Sequence, residues 1–297
     1  MATSSCYNSL MGILFAFGAL FAWGLGDFLI QRSARQFGKW AALFYVTAIG
    51  AIALLPFVWG DLKVVFSSPD DLFILLITSV IILFAALFDF EALRAGKLSV
   101  IEPIFAFEVP ITVGLAAIIL GERLMPAQYL LMVLLLIGIF LVATRHFHHY
   151  RTIHLEKGVW AAVFATIGMG VINFLFGVAA REISPLMINW FTSVFLAVAT
   201  LIAIIGKSDT GQLKRDWHSS KRLITSVGII DNLAWVFYAY ATLYIPIAIA
   251  TGISESYIAL ASGLGLMLNR EKLKPHQFFG LILAVMAVIT LAFITKD

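Results

Sequence analysis

Apolar residues in this chain run in stretches of about twenty, long enough for each to cross a bilayer as a helix. The polar residues between the stretches gather into short clusters with Pro and Gly. Cutting the sequence at those clusters predicts ten segments: Leu10–Ile30, Trp40–Trp59, Leu72–Leu93, Leu98–Ile119, Ala127–Thr144, Gly158–Ala180, Leu186–Ile205, Arg222–Leu243, Ile247–Leu268 and Gln277–Ile294. Two joints are tight, with RAGK between the third and fourth segments and YIP between the eighth and ninth. Each of those uninterrupted runs is too long for one helix and is read as two tightly turned ones. The predicted fold is an all-α polytopic membrane protein with ten transmembrane helices.

Composition agrees with this pattern. Of the 297 residues, 61% are hydrophobic and 12% are charged, about half the charged share of a soluble domain. The net charge of +3 therefore concerns which loops face the cytoplasm, and no nucleic-acid partner is expected. Cys6 stands alone, so an internal disulfide and a Cys-x-x-Cys motif are both excluded. The opening MATSSCYNSL has no Lys or Arg, and no cleavable signal peptide is expected.

The basic residues set an orientation. The loops after segments 1, 3, 5, 7 and 9 hold Arg32, Arg35, Lys39, Arg94, Lys97, Arg145, Arg151, Lys157, Lys207, Lys214, Arg215, Lys221, Arg222, Arg270, Lys272 and Lys274. The other side has Lys63, Arg123, Arg181 and Lys296. Short-loop Lys/Arg bias marks the cytoplasmic face, which places the odd loops inside and both termini outside.

The five-segment pattern occurs twice. "GERLMPAQ" (Gly121–Gln128) is similar to "NREKLKPHQ" (Asn269–Gln277): Glu122, Pro126 and Gln128 fall on Glu271, Pro275 and Gln277 at a constant shift. "WGLGDFL" (Trp23–Leu29) lies over "MGVINFL" (Met169–Leu175), bringing Asp27 onto Asn173. An odd number of spans per unit inverts the second copy in the membrane. Inverted repeats are a transporter architecture, with substrate held near the midplane between the halves.

These residues carry a family resemblance. Two five-helix halves, Trp23-Gly24 in the first helix and Gly121-Glu122-Arg123-Leu124 after the fourth resemble the EamA family of the drug/metabolite transporter superfamily. The resemblance covers nearly the whole chain and implies two EamA-type repeats, 1–148 and 149–297, in a ten-helix secondary carrier. It further implies a central cavity lined mainly by helices 1, 3, 4, 6, 8 and 9, with helices 5 and 10 at the periphery. The chain departs from the family pattern at Met169, where the second half lacks the tryptophan, and at Asn269-Arg270-Glu271 in place of Gly-Glu-Arg. The cell membrane expected is a plasma membrane of the bacterial inner-membrane type.

Ionisable residues inside membrane helices are costly unless paired or wetted, so each is a functional candidate. Those in the predicted segments are Asp27, Asp89, Glu91, Glu102, Glu108, Asp231 and Glu255, all acidic. Asp27, Asp89, Glu91 and Glu102 lie near the odd-loop ends. For Asp89, Glu91 and Glu102, a cytoplasmic-side ion-pair cluster with Arg94 is favoured over substrate contact. Asp27 stays a binding candidate because its repeat partner Asn173 is also polar. Glu108 is eleventh in a 22-residue segment, with Pro110 loosening the backbone beside it. Its inverted counterpart is read as Glu255 in "GISESYIAL". Trp23, Tyr257, Asp231 and Tyr240 complete the predicted substrate-binding set. Glu122 and Glu271 sit at turns and are assigned to capping or a loop salt bridge. The histidines of "RHFHHYRTIH" (Arg145–His154) match no metal-binding spacing.

The leading reading is a secondary transporter, an exporter of small metabolites such as amino acids or amines by alternating access. An acidic cavity allows two mechanisms: direct pairing with an amine, or exchange of a proton on a carboxylate as the cavity changes sides. No cofactor, metal or catalytic residue is expected; the partners are a small-molecule substrate, H+ under the second mechanism, and the lipid bilayer. The competing classes are an integral-membrane enzyme acting on lipid and a non-transporting sensor or assembly protein. The first needs a nucleophile–base set or metal ligands, and the second has no use for midplane carboxylates. Deep Lys or Arg for a phosphorylated cargo is absent from the predicted segments.

Overall fold

The computed structural model describes residues 2–96, 98–143, 158–206, 210–259 and 274–296. The regular structure among them is helical throughout: α1 (Ala2–Phe37), α2 (Lys39–Val58), α3 (Leu62–Phe66), α4 (Pro69–Ala95), α5 (Leu98–Phe105), α6 (Glu108–Ile119), α7 (Pro126–Ala143), α8 (Val159–Glu182), α9 (Pro185–Gly206), α10 (Thr210–Tyr244), α11 (Ile247–Ser254) and α12 (Pro275–Lys296). Seven described stretches are long and apolar enough to cross a membrane, those within α1, α2, α4, α8, α9, α10 and α12. Shorter apolar helices cover Glu108–Ile119, Pro126–Leu141 and Ile247–Ala259. Large apolar side chains such as Phe21, Ile52, Phe57, Ile118 and Phe293 face outward, as they do where the surrounding solvent is lipid. The chain is a multi-pass integral membrane protein.

The predicted fourth span is broken. Helix α5 ends at Phe105, Ala106 and Phe107 form a turn, and α6 restarts at Glu108. Pro110 explains the position: its ring clashes with the carbonyl four residues earlier, that of Ala106, and it offers no N–H to it. The predicted ninth span breaks too, with α11 ending at Ser254 and a turn at Glu255-Ser256. No proline is involved there. Glu255 N–H still reaches Thr251 O (2.8 Å), but Ser256 N–H turns to Ile253 O (3.2 Å), an i−3 bond that tightens the last turn. The hydroxyls of Ser254 and Ser256 add bonds to the same two carbonyls (3.2 and 2.5 Å). Residues 260–268 of that span, the Glu271 turn and the Arg145–His154 loop lie outside the described residues.

Helix pairing reflects the repeat. The most extensive contacts are α1 with α10, α4 with α8, α2 with α9 and α7 with α12. In predicted-span order these are 1 with 8, 3 with 6, 2 with 7 and 5 with 10. Exchanging the halves maps that set onto itself. Gly138 makes the α7–α12 contact close, since a Cβ there would meet Ala284 N at 2.7 Å and Gly280 O at 2.8 Å. The two helix starts are also built alike. Met125 N–H donates to Gln128 Oε1 (2.9 Å) and Lys274 N–H to Gln277 Oε1 (3.0 Å), each across the proline that opens the helix.

Candidate functional site: an acidic cavity between the halves

A central cavity lies among α1, α2, α4, α6, α8, α9 and α10, with the break after α11 as a further wall. The cavity volume is about 90 Å³. Five carboxylates line it, those of Asp27, Asp89, Glu108, Asp231 and Glu255, and among the described residues no Lys, Arg or His does. Asp27 is within electrostatic reach of the other four. Like charges so close in a space of low dielectric repel strongly, so the cavity favours a positive charge from outside, whether a proton or a cation.

Asp27, Asp89 and Asp231 stand within the unbroken helices α1, α4 and α10. Glu108, midway along its predicted span, stands at the first turn of α6 and Glu255 at the end of α11, one at each helix break. Asn173 on α8 joins them: its Nδ2 donates to Glu255 Oε1 at 3.1 Å and to Glu108 Oε2 at 3.4 Å. Both breaks are tied back to the core. Thr112 donates to Gly170 O (2.8 Å) and Glu108 O (3.0 Å). Behind Asn173, the Tyr238 hydroxyl contacts Asn173 O and Thr251 Oγ1, both at 2.8 Å. The half-helix ends are thus positioned without neutralising the carboxylates.

One helical turn beyond Asp27 and Asp231, an aromatic layer begins. Trp23 packs edge-on against Trp235 with ring centroids 5.1 Å apart, and Tyr257 lies 6.1 Å from Trp23. Tyr257 and Asp27 line the same cavity. Phe176 sits 4.6 Å from Trp235. Aromatic faces beside carboxylates give a cation two kinds of partner, charge and quadrupole.

Beyond that layer, on the side of the sparsely basic loops, Glu122 and Arg181 form a clasp at 3.0 Å. Arg181 donates to the carbonyls of Thr242 (2.7 Å) and Ile245 (3.1 Å) where α10 ends. Glu122 accepts from the N–H groups of Ile247 (3.0 Å) and Ala248 (3.2 Å) where α11 begins. A cation thus meets the negative end of one helix and an anion the positive end of the next. The sequence-based assignment of Glu122 to capping and a salt bridge agrees with this geometry.

A sequence profile of the EamA-like transporter family matches residues 10–144 and again residues 156–293. The chain belongs to the EamA-like transporter family. It thereby falls within the drug/metabolite transporter superfamily, and the two matched stretches accord with an inverted repeat. An uncharacterized protein of Haemophilus influenzae is 24% identical over 231 residues, covering 75% of this chain and 74% of that protein. A solved crystal structure of a protein superposes with a TM-score of 0.72 at 15% identity, covering 95% of this chain and 94% of the other. That likeness concerns the fold.

Of the residues predicted for substrate binding in this EamA-family chain, Trp23, Asp27, Glu108, Asn173, Asp231, Glu255 and Tyr257 line the cavity. Tyr240 does not; it stacks on Phe15 with centroids 5.3 Å apart, in the α1–α10 contact. The expected ion-pair cluster is divided. Glu91 pairs with Arg94 (2.7 Å) and with Lys39 (3.3 Å). Asp89 instead lines the cavity, because two residues along a helix turn a side chain by about 200°. Glu102 joins neither group: it is 1% exposed, and neither carboxylate oxygen has a hydrogen-bond partner among the described residues. Sequence reading passed over Asn189, Thr192 and Ser193, which also line the cavity. Their i, i+3, i+4 spacing in an apolar helix was the available signal.

Proposed function

We propose that the chain is a secondary exporter of small amine-bearing metabolites, working by alternating access between its halves, 1–148 and 149–297, in a plasma membrane. Glu108 and Glu255 bind the ammonium group, with Asn173 holding the two carboxylates in register. Asp27, Asp89 and Asp231 form the entrance level, and Trp23, Trp235 and Tyr257 pack the organic part of the cargo. Return of the emptied carrier takes a proton on the deeper pair, so that substrate and H+ use the same carboxylates in turn. The odd, basic loops face the cytoplasm.

One observation carries this reading: a cavity at the junction of the repeats holds five carboxylates and no basic side chain among the described residues. An anionic cargo would be repelled there, whereas an amine gains charge-assisted hydrogen bonds, each worth about 1.5–3 kcal/mol. The test is counterflow in proteoliposomes, in which external labelled compound exchanges with unlabelled compound inside. A panel of mono- and diamines, neutral amino acids and dicarboxylates is compared in wild type, Glu108→Gln and Glu255→Gln. Amines are expected to exchange, and either substitution is expected to weaken half-saturation by about 10- to 100-fold. Exchange of dicarboxylates alone, or amine exchange unchanged in both variants, would sink the proposal.

A further inference from the structure

On the basic-loop side, α10 begins twelve residues ahead of the predicted span, at Thr210, and breaks at Ser220 (φ −140°, ψ 29°). Before the break, Lys214, Arg215, Trp217 and His218 are exposed. Leu213 packs into a small apolar cluster with Phe37, Ala41, Tyr45 and Ile224. The Tyr45 hydroxyl contacts Leu213 O (3.2 Å) and Asp216 Oδ2 (3.4 Å). A short helix with one apolar flank, a basic face and a tryptophan is suited to the plane of the membrane interface.

Gln36 donates to Ser220 Oγ at 2.8 Å, pinning the break to the end of α1. Beside that pin is a groove between α1 and α10. Arg32 and Arg222 flank it, Ser220 and Ser226 add hydroxyls, and Leu29 and Leu223 form an apolar floor. Both arginines are exposed, and neither makes an ion pair among the described residues. Among the described residues no acidic side chain lines the groove. Counted from Leu10 at ~1.5 Å per residue, Arg32 lies about 33 Å along α1, just past the ~30 Å of hydrocarbon. That is headgroup depth.

We propose that this groove is a binding site for one anionic phospholipid, with the phosphate between Arg32 and Arg222 and an acyl chain along Leu29 and Leu223. Guanidinium forks match phosphate oxygens in pairs, and basic pockets between helices at the membrane surface suit anionic headgroups. A zwitterionic lipid offers the same phosphate but sets an ammonium group beside two guanidiniums. The bound lipid would clamp the helix pair that also supplies Asp27 and Asp231 to the cavity. The site depends on the chain's place in a membrane and is independent of what the cavity carries.

The test uses delipidated full-length protein in detergent micelles, titrated with dioleoylphosphatidylglycerol or dioleoylphosphatidylcholine, with bound lipids counted by native mass spectrometry. Wild type is expected to hold one phosphatidylglycerol in preference to phosphatidylcholine. Each arginine replaced by Gln should lower that preference about fivefold. Arg32→Lys with Arg222→Lys should keep most of it. Lys214→Gln with Arg215→Gln, outside the groove, should keep nearly all. Ser226→Trp fills the groove while leaving both charges and should expel the lipid, which decides the matter even if the Gln pair unfolds. Equal retention of the two lipids by wild type would overturn the proposal, as would a bound lipid undisturbed by Ser226→Trp. Displacement of the lipid by millimolar inorganic phosphate would overturn it in favour of a free-phosphate site.

Discussion

Removing the Glu122 side chain should open the clasp in a way that can be worked out donor by donor. Glu122 accepts one guanidinium bond and two backbone N–H bonds, and Pro246, which precedes α11, supplies no side-chain cap of its own. In Glu122→Ala the amides of Ile247 and Ala248 lose their acceptor. Loss of an N-terminal cap costs about 1–2 kcal/mol, and loss of a negative charge at the positive helix end adds about 0.3–1 kcal/mol. The ion pair is partly exposed, at 31% and 12% for the two side chains, and contributes up to about 1 kcal/mol. The contributions share one carboxylate and are not strictly additive; together they amount to about 1.3–4 kcal/mol. Opening of the first turn of α11 should therefore become about 10- to 1,000-fold more frequent. Hydrogen–deuterium exchange of a peptide covering 247–254 reads this directly. Arg181→Met leaves the two amide bonds in place, so it should accelerate α11 exchange by about tenfold or less and loosen the end of α10 more. Exchange of α11 in Glu122→Ala within about threefold of wild type would refute the capping argument.

Other substitutions separate packing from binding. A Cβ at Gly50 would meet the Asn232 side chain at 2.6 Å and the Ser193 hydroxyl at 2.8 Å, so Gly50→Ala should lower stability by about 1–3 kcal/mol, seen as a lower thermal midpoint in micelles. It should also weaken amine binding, because Asn232 and Ser193 both line the cavity. Gly138→Val pushes against the backbone of α12 and should cost a similar amount of stability. The half-saturation of the surviving carrier should stay unchanged, since among the described residues neither α7 nor α12 contributes to the cavity. Arg94→Gln breaks a pair whose side chains are 45% and 25% exposed and should cost less than about 1 kcal/mol in the same melting assay.

Hydropathy located most of the helices in the sequence because the bilayer fixes both their length and their polarity. It failed at polar helix and at broken helix. Thr210–Ser219 carries too many charges to look like a span, yet it is helical and packs its Leu213 flank on α2. The break after Phe105 follows from Pro110, already legible as loosening the backbone; the one after Ser254 has no proline to mark it. Among the site residues, Glu108 and Glu255 stood out as carboxylates far from any basic residue, and Asn173 through its repeat relation to Asp27. The depth of a residue can be estimated by counting along a helix, but which way it faces depends on the neighbours. That difference separates Asp89, in the cavity, from Glu91, on Lys39 and Arg94. It also accounts for Tyr240, which shares a helix with Asp231 and Trp235 but stacks on Phe15. Arg181 was counted only as an orientation charge, although it joins Glu122 to the distant end of α10.

The exchange of cation for proton on the deeper carboxylates is tested most directly with a labelled alkylguanidinium ion, which keeps N–H donors and stays charged at every working pH, in proteoliposomes that hold a pH gradient. A permanently charged ion cannot accumulate by the passive trapping that concentrates weak bases. Uphill accumulation on the acidic side, abolished by dissipating the gradient and by Glu255→Gln, is the expected result. Accumulation that persists in both Glu255→Gln and Glu108→Gln would contradict it, as would movement that only equilibrates the ion whatever the gradient.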